Sequence, residues 1–208
     1  MCAKRNCSLK ASKTSFGIRK ATFFGAELSI KGYKMALHNL DPIRQLVRPE
    51  DVSELRRVLG LFVQHKDRLP TWGEDSKPLH RLTRNAVKWD WTEKCESSFE
   101  KLRSQCLENK ILAAPDFKKQ FRAATDASAD GKGVHIYQLR DPSKCALLEA
   151  DLDPKNRDTI MYYSKAWTDS MLGKPPYYQE ADALITGLTV VKPYGEASPL
   201  TTLGITDH

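Results

Sequence analysis

The stretch FRAATDASADGKGVHIYQL, Phe121–Leu139, decides the fold. An apolar run stops at Thr125-Asp126, the chain passes through small and turn-forming residues to Gly131-Lys132-Gly133, and a second run rich in β-branched and aromatic residues follows. This predicts two antiparallel strands joined by a short turn. Further along, TIMYYS (159–164) reads as a third strand, YYQEADALITGLTVVKPYG (177–195) as a helix, and LTTLGITD (200–207) as a last strand, with a polar insertion at 140–158. The order strand, strand, strand, helix, strand has a geometric consequence. A meander makes the first and third strands point the same way, and a helical crossover makes the fourth parallel to the third. The fourth can therefore lie beside the first, with Asp126 and Asp207 at the same edge.

The helix supplies a third carboxylate. Glu180, Ala183, Leu184, Gly187, Leu188 and Val191 fall on one stripe, which predicts that Glu180 starts the sheet-facing side. A carboxylate there is costly unless paired or metal-bound. Asp182 lies about 200° around the helix from Glu180, which predicts a solvated position. Three converging carboxylates are hard oxygen donors suited to Mg2+ or Mn2+.

Upstream, ATFFGAELSIKGYKM (21–35) reads as a β-hairpin around a Lys-Gly turn. Asp51 is placed to cap a helix in which Val52, Leu55, Val58, Leu59 and Phe62 recur at helical spacing, and Pro70 is expected to end it. SKPLHRLT (76–83) predicts a short helix. TEKCESSFEKLRSQCLEN (92–109) predicts a longer one, started by Thr92 and lined by Phe99, Leu102 and Cys106, with Trp89 and Trp91 packed against it.

The bulk properties fit a globular chain of 208 residues, 40% hydrophobic and 28% charged. No apolar run approaches the ~18 residues of a membrane span, and the first residues have no apolar core of a secretion signal. The five cysteines are scattered without a C-x-x-C pair, so neither a zinc site nor a disulfide framework is indicated. The net charge of +7 is concentrated at the front, where residues 1–50 carry ten Lys/Arg against three Asp/Glu. Such a segment suits a polyanion, or is simply a solvated basic face.

Several segments together carry a resemblance. FFGAELSIKGYKM (23–35), IRQLVRPEDVSELRRVLGL (43–61), KPLHRLTRNAVKWDWTEKCESSFEKLRSQC (77–106) and LAAPDFKKQFRAATDAS (112–128) resemble, in this order, the primer-grip hairpin, thumb, connection and first RNase H strand of the Pol polyprotein of gypsy-class LTR retrotransposons and retroviruses. The resemblance implies an α/β (α+β) architecture, a helical thumb and connection followed by a truncated RNase H-like mixed sheet. Its implied parts are the end of the reverse transcriptase palm at 1–36, thumb and connection at 37–114, and an RNase H-like domain at 115–208, incomplete at its C-terminus. It implies Asp126, Glu180 and Asp207 as catalytic metal ligands for two Mg2+ (or Mn2+) ions that hydrolyse the RNA strand of a hybrid, and Phe24, Gly25 and Ala26 as nucleic-acid-binding residues. The implied partners are an RNA–DNA hybrid or primer-template duplex and the remainder of the polyprotein, in an intracellular particle or nucleus and with no membrane.

The sequence departs from the family pattern at His135, where Ala is usual, and at Asp182. It lacks the Tyr-x-Asp-Asp motif and the fourth carboxylate. The expectation is therefore a fragment of a longer enzyme, inactive by itself. The alternative is a decayed or domesticated remnant that at most binds nucleic acid.

Overall fold

The computed structural model describes residues 10, 12, 14–141 and 154–206. Its first element is a three-stranded antiparallel sheet, β1 (Lys20–Phe23), β2 (Ala26–Ser29) and β3 (Gly32–Met35). The predicted hairpin around Lys31-Gly32 is thus the second of two. The first turns at Phe24-Gly25, both with positive φ (44° and 77°). That conformation suits the right-handed twist of a two-residue hairpin, but Phe24 is an unusual residue for it, which is why the sequence hides the turn.

Helices follow. After the single turn α1 (Asp41–Arg44), α2 (Val52–Val63) starts at Asp51, whose carboxylate accepts the Glu54 N–H at 2.8 Å. The helix stops at Val63, well before Pro70, because the chain tightens into a 3-10 turn at Lys66–Arg68. The predicted short helix is longer than expected: α3 (Trp72–Leu82) begins four residues earlier and carries Pro78 inside it. Burial of Trp72, Leu79 and Leu82 in the helical core holds this helix against the cost of an internal proline. α4 (Glu93–Glu108) starts at Thr92, as expected, and ends at Asn109 in the left-handed region. Phe99, Leu102 and Cys106 are buried, and Trp91 meets Phe99 edge-on at 6.1 Å.

The second sheet has the order β6-β5-β4-β7, built from β4 (Arg122–Ala127), β5 (Gly131–Leu139), β6 (Arg157–Ala166) and β7 (Leu203–Thr206). β4, β5 and β6 form an antiparallel meander, and β7 runs parallel to β4, as the topological argument requires. The single turn α5 (Asp169–Leu172) and the long α6 (Pro176–Gly195) make the crossover. Among the described residues no helix is long and apolar enough to cross a membrane.

The two halves are packed through backbone. Gly73 in α3 donates its N–H to Ser164 Oγ at 2.9 Å, and a side chain on it would come within 2.6 Å of the Lys165 backbone. Segment 111–114 bridges the sheets: Leu112 exchanges two hydrogen bonds with Tyr33 of β3, and the Ala113 N–H reaches Thr159 O of β6.

Candidate metal and nucleic-acid site

Alternation along β4 sets the direction of Asp126. Thr125 is buried beneath α6, where a Cβ on Gly187 would lie closer than 3 Å to its methyl group. Asp126 therefore faces the other side of the sheet. It is exposed, and its partner in the register is Gly133, around which there is open space. The carboxylate stands at an unobstructed rim.

α6 reaches that rim because it lies antiparallel to β4. Gly187 sits over Thr125, Val191 joins Phe121 and Ala123 in the core, and the Tyr194 ring is 5.6 Å from Phe121. Glu180 is seven residues before Gly187, about 10 Å along the axis at 1.5 Å per residue, so its end of the helix projects past the strand. Ala183, Gly187 and Val191 are buried and Glu180 is half-buried. The stripe is narrower than predicted: Leu184 and Leu188 lie over Gly204 of β7, and Leu188 remains 46% exposed. The third expected ligand, Asp207, lies outside the described residues; the last parallel pair is Thr125 with Thr206. Among the described residues no three His, Cys, Asp or Glu side chains meet at metal-holding distance.

Asp182 is not simply solvated. Lys132 of β5 faces α6, like Val134 and Ile136, and its Nζ donates to Asp182 and to Thr186 Oγ1 (2.6 Å) while lying 5.5 Å from the centroid of the Trp167 ring. The lysine is largely buried, so it needs this partner. Trp167 in turn donates its indole N–H to Ser128 O at 2.8 Å, and the Ser128 hydroxyl accepts the Gly131 N–H and donates to Glu74. The β4–β5 turn beside Asp126 is thereby tied to α6 and α3. Sequence reasoning missed this group; the spacing of four between Asp182 and Thr186 on one helical flank was the available signal.

His135 stacks on Tyr162 (4.6 Å, 18°), with its Nε2 2.9 Å from Thr159 Oγ1. Burial first, then the Arg157 charge, lowers its pKa to about 4. It is thus a neutral aromatic in the sheet.

At the other candidate, Phe24 is 93% exposed at the tip of the first turn. The Gly25 carbonyl accepts the Ala36 N–H and the Asn39 Nδ2–H, each at 3.0 Å, and a side chain on Gly25 would collide with that amide. These bonds hold the tip in place. Two of the basic residues near it, Lys20 and Lys34, share the Glu27 carboxylate at 3.5 and 3.7 Å.

The comparisons with known proteins bear on the family and the fold. The family model of the RNase H-like domain found in reverse transcriptase matches residues 91–202, starting inside the helical part, just before α4. The Pol polyprotein of transposon 412 from Drosophila melanogaster is 26% identical over 193 residues, 93% of this chain and 15% of the relative. The Tf2-3 transposon polyprotein of Schizosaccharomyces pombe is 25% identical over 203 residues, 98% of this chain and 14% of the relative. The chain thus spans only about a seventh of these relatives. The foamy viral protease-reverse transcriptase in complex with RNA/DNA hybrid superposes with a TM-score of 0.75 at 19% identity, over 95% of this chain and 25% of that one. The same protein in complex with dsDNA gives 0.69 at 20% identity, over 92% and 37%. These structures share the fold. With its family model matched over more than half its length, the chain belongs to the RNase H-like domain family found in reverse transcriptase.

Proposed function

We propose that this chain is the duplex-gripping and nuclease segment of a retrotransposon reverse transcriptase, with residues 1–36 ending the palm, 37–114 forming thumb and connection, and 115–208 forming the RNase H-like domain. The enzyme of which it is a segment acts on an RNA–DNA hybrid and hydrolyses its RNA strand. The observation that carries this reading is the antiparallel seating of α6 on β4, which sends Glu180 past the strand end where Asp126 stands exposed. Thr206, the partner of Thr125, immediately precedes Asp207.

The donor set fits a hard divalent cation: Asp126 has open space opposite it, and carboxylate oxygens suit Mg2+ or Mn2+. Asp126, Glu180 and Asp207 would hold the metal. When bound, divalent ions activate a water and stabilise charge on the phosphoryl oxygens. The chain's own residues do the positioning. The Phe24–Ala26 tip and the basic front segment hold the duplex through its backbone, without reading sequence. The Lys132–Asp182 pair fixes α6 and thus the height of Glu180.

The test is Mn2+ titration followed by NMR line broadening. Broadening centred on Asp126, Ala127 and Gly133 is expected in the wild type, and its loss in Asp126→Asn. Equal broadening in the two proteins would overturn the metal assignment. Fluorescence anisotropy with a labelled hybrid tests the substrate class; no binding at low salt would overturn it.

A further inference from the structure

Beneath the Phe24–Gly25 turn is a cleft of about 380 Å3, lined in part by the polar residues Asn39, Gln64, His65 and Arg68. Arg68 closes the 3-10 turn before the fully buried Leu69. Its guanidinium lies over the Tyr33 ring, 5.1 Å from the centroid, and one Nη is 3.4 Å from His65 Nδ1. Its Nε is buried and has no hydrogen-bond partner among the described residues. Asp67 also lines the cleft, but no carboxylate of the described residues forms a salt bridge with Arg68. Burial pulls the guanidinium pKa down, outweighing the nearby Tyr33, Asp67 and Cys106, which act to raise it.

Asp67 acts on this half-buried cation at a distance without bonding it, so the guanidinium keeps capacity for an anion that reaches it directly. Here the cation is pre-aimed by stacking, and its planar fork matches phosphate oxygens. The mouth of the cleft adds a second element, since Phe24 is 93% exposed with Phe23 edge-on to it at 4.4 Å. An exposed aromatic beside an anion site suits a nucleotide better than a free inorganic ion, because base or sugar can rest on the ring.

We propose that the Arg68 cleft seats one backbone phosphodiester of the bound nucleic acid while Phe24 stacks on the adjacent nucleotide. This rests on the reading that the chain binds a duplex through its hairpin. Arg68 is then a positioning contact, and the hairpin grip has a charged floor as well as an aromatic tip. His65 is held near a pKa of about 4, by burial and then by Arg68, so it contributes a neutral hydrogen-bonding ring.

The experiment uses the full chain, a labelled RNA–DNA hybrid in a salt series, and the variants Arg68→Met, Arg68→Lys and Phe24→Ala. Arg68→Met is expected to weaken binding about tenfold and to reduce the salt slope by about 0.7–0.9, the share of one phosphate contact. Phe24→Ala should weaken binding with the slope unchanged. Arg68→Lys keeps the charge and loses the stacked fork, so it should weaken binding at nearly wild-type slope. It carries the test if Arg68→Met does not fold, and wild-type affinity in Arg68→Lys would then overturn the proposal. Wild-type affinity and slope in a folded Arg68→Met also overturn it, while leaving the duplex reading intact.

A second arm titrates inorganic phosphate and follows the Arg68 Nε–H and His65 ring resonances. Saturable shifts that vanish in Arg68→Met support the anion site even if the hybrid reading fails. Absence of such shifts, together with absence of hybrid binding, overturns both. Phosphate saturation with hybrid affinity indifferent to Arg68 would make the cleft a free-anion site and reject the nucleic-acid assignment.

Discussion

Gly187→Ala tests the seating of α6 on the sheet. The added Cβ would lie closer than 3 Å to the Thr125 methyl and 3.6 Å from Val134 Cγ1. Thr125 is 6% exposed and β-branched, so it has little freedom to withdraw. Overpacking a tight site costs about 1–3 kcal/mol, against which alanine regains up to about 1 kcal/mol of helix propensity. The net expectation is a loss of about 1–2 kcal/mol. For a chain of 208 residues that lowers Tm by roughly 3–6 °C.

Two controls isolate the mechanism. Thr125→Ser deletes the obstructing methyl, so the double variant should recover most of the loss. Gly60 in α2 is exposed, with nothing within 4 Å of its Cβ position. The same substitution there should stabilise by about 0.5–1 kcal/mol. Thermal unfolding followed by circular dichroism reads all four proteins. A neutral or stabilising Gly187→Ala, or no rescue by Thr125→Ser, would refute the close approach of α6 and β4, and with it the placement of Glu180.

Asn109 ends α4 at φ 46°, and its amide bonds the Met35 N–H (2.9 Å) and carbonyl (3.1 Å). Asn109→Ala should cost about 2–4 kcal/mol in urea unfolding, and Asn109→Gly about 1 kcal/mol less, because it keeps the left-handed backbone but not the bonds. The pH dependence follows from His135 and His65, whose pKa values fall from 6.5 unfolded to about 4 folded. The unfolded chain binds protons first, so stability is full above pH 6.5 and is lost as pH falls toward about 4. Replacing His135 with Phe should flatten that decline in unfolding curves recorded across the window. Lys132→Met leaves Asp182 without its cation and should destabilise by about 1 kcal/mol, a modest figure because the carboxylate is 40% exposed; a melting curve checks it.

The sheet was legible because its strands carry their own apolar runs and because chain order restricts topology: the meander and crossover leave few places for β7. The caps at Asp51 and Thr92 were legible for the same local reason. What stayed hidden depends on distant partners. α3 starts at Trp72, four residues before the predicted helix, because Trp72 is buried in the core with Leu79, which no window of sequence reports. Lys132 looked like a turn residue until α6 brought Asp182 and Thr186 over it. Arg68 passed as one charge among many, since its significance comes from the Tyr33 ring, 35 positions away in the chain. At the site, residue choice came from the strand ends and the stripe of α6, whereas Asp126 facing away from the helix emerged only from the observed register.

Leu112 and Ala113 are consecutive residues whose amide protons belong to different ladders, one to Tyr33 in the front sheet and the next to Thr159 in the rear. They form a two-channel strain gauge. If the helical half hinges away from the four-stranded sheet, deuterium enters at Ala113 while Leu112 stays protected; if the hairpin peels off, the order reverses; global unfolding releases both at one rate. A single adjacent pair of exchange rates thus distinguishes three modes of opening without any mutation.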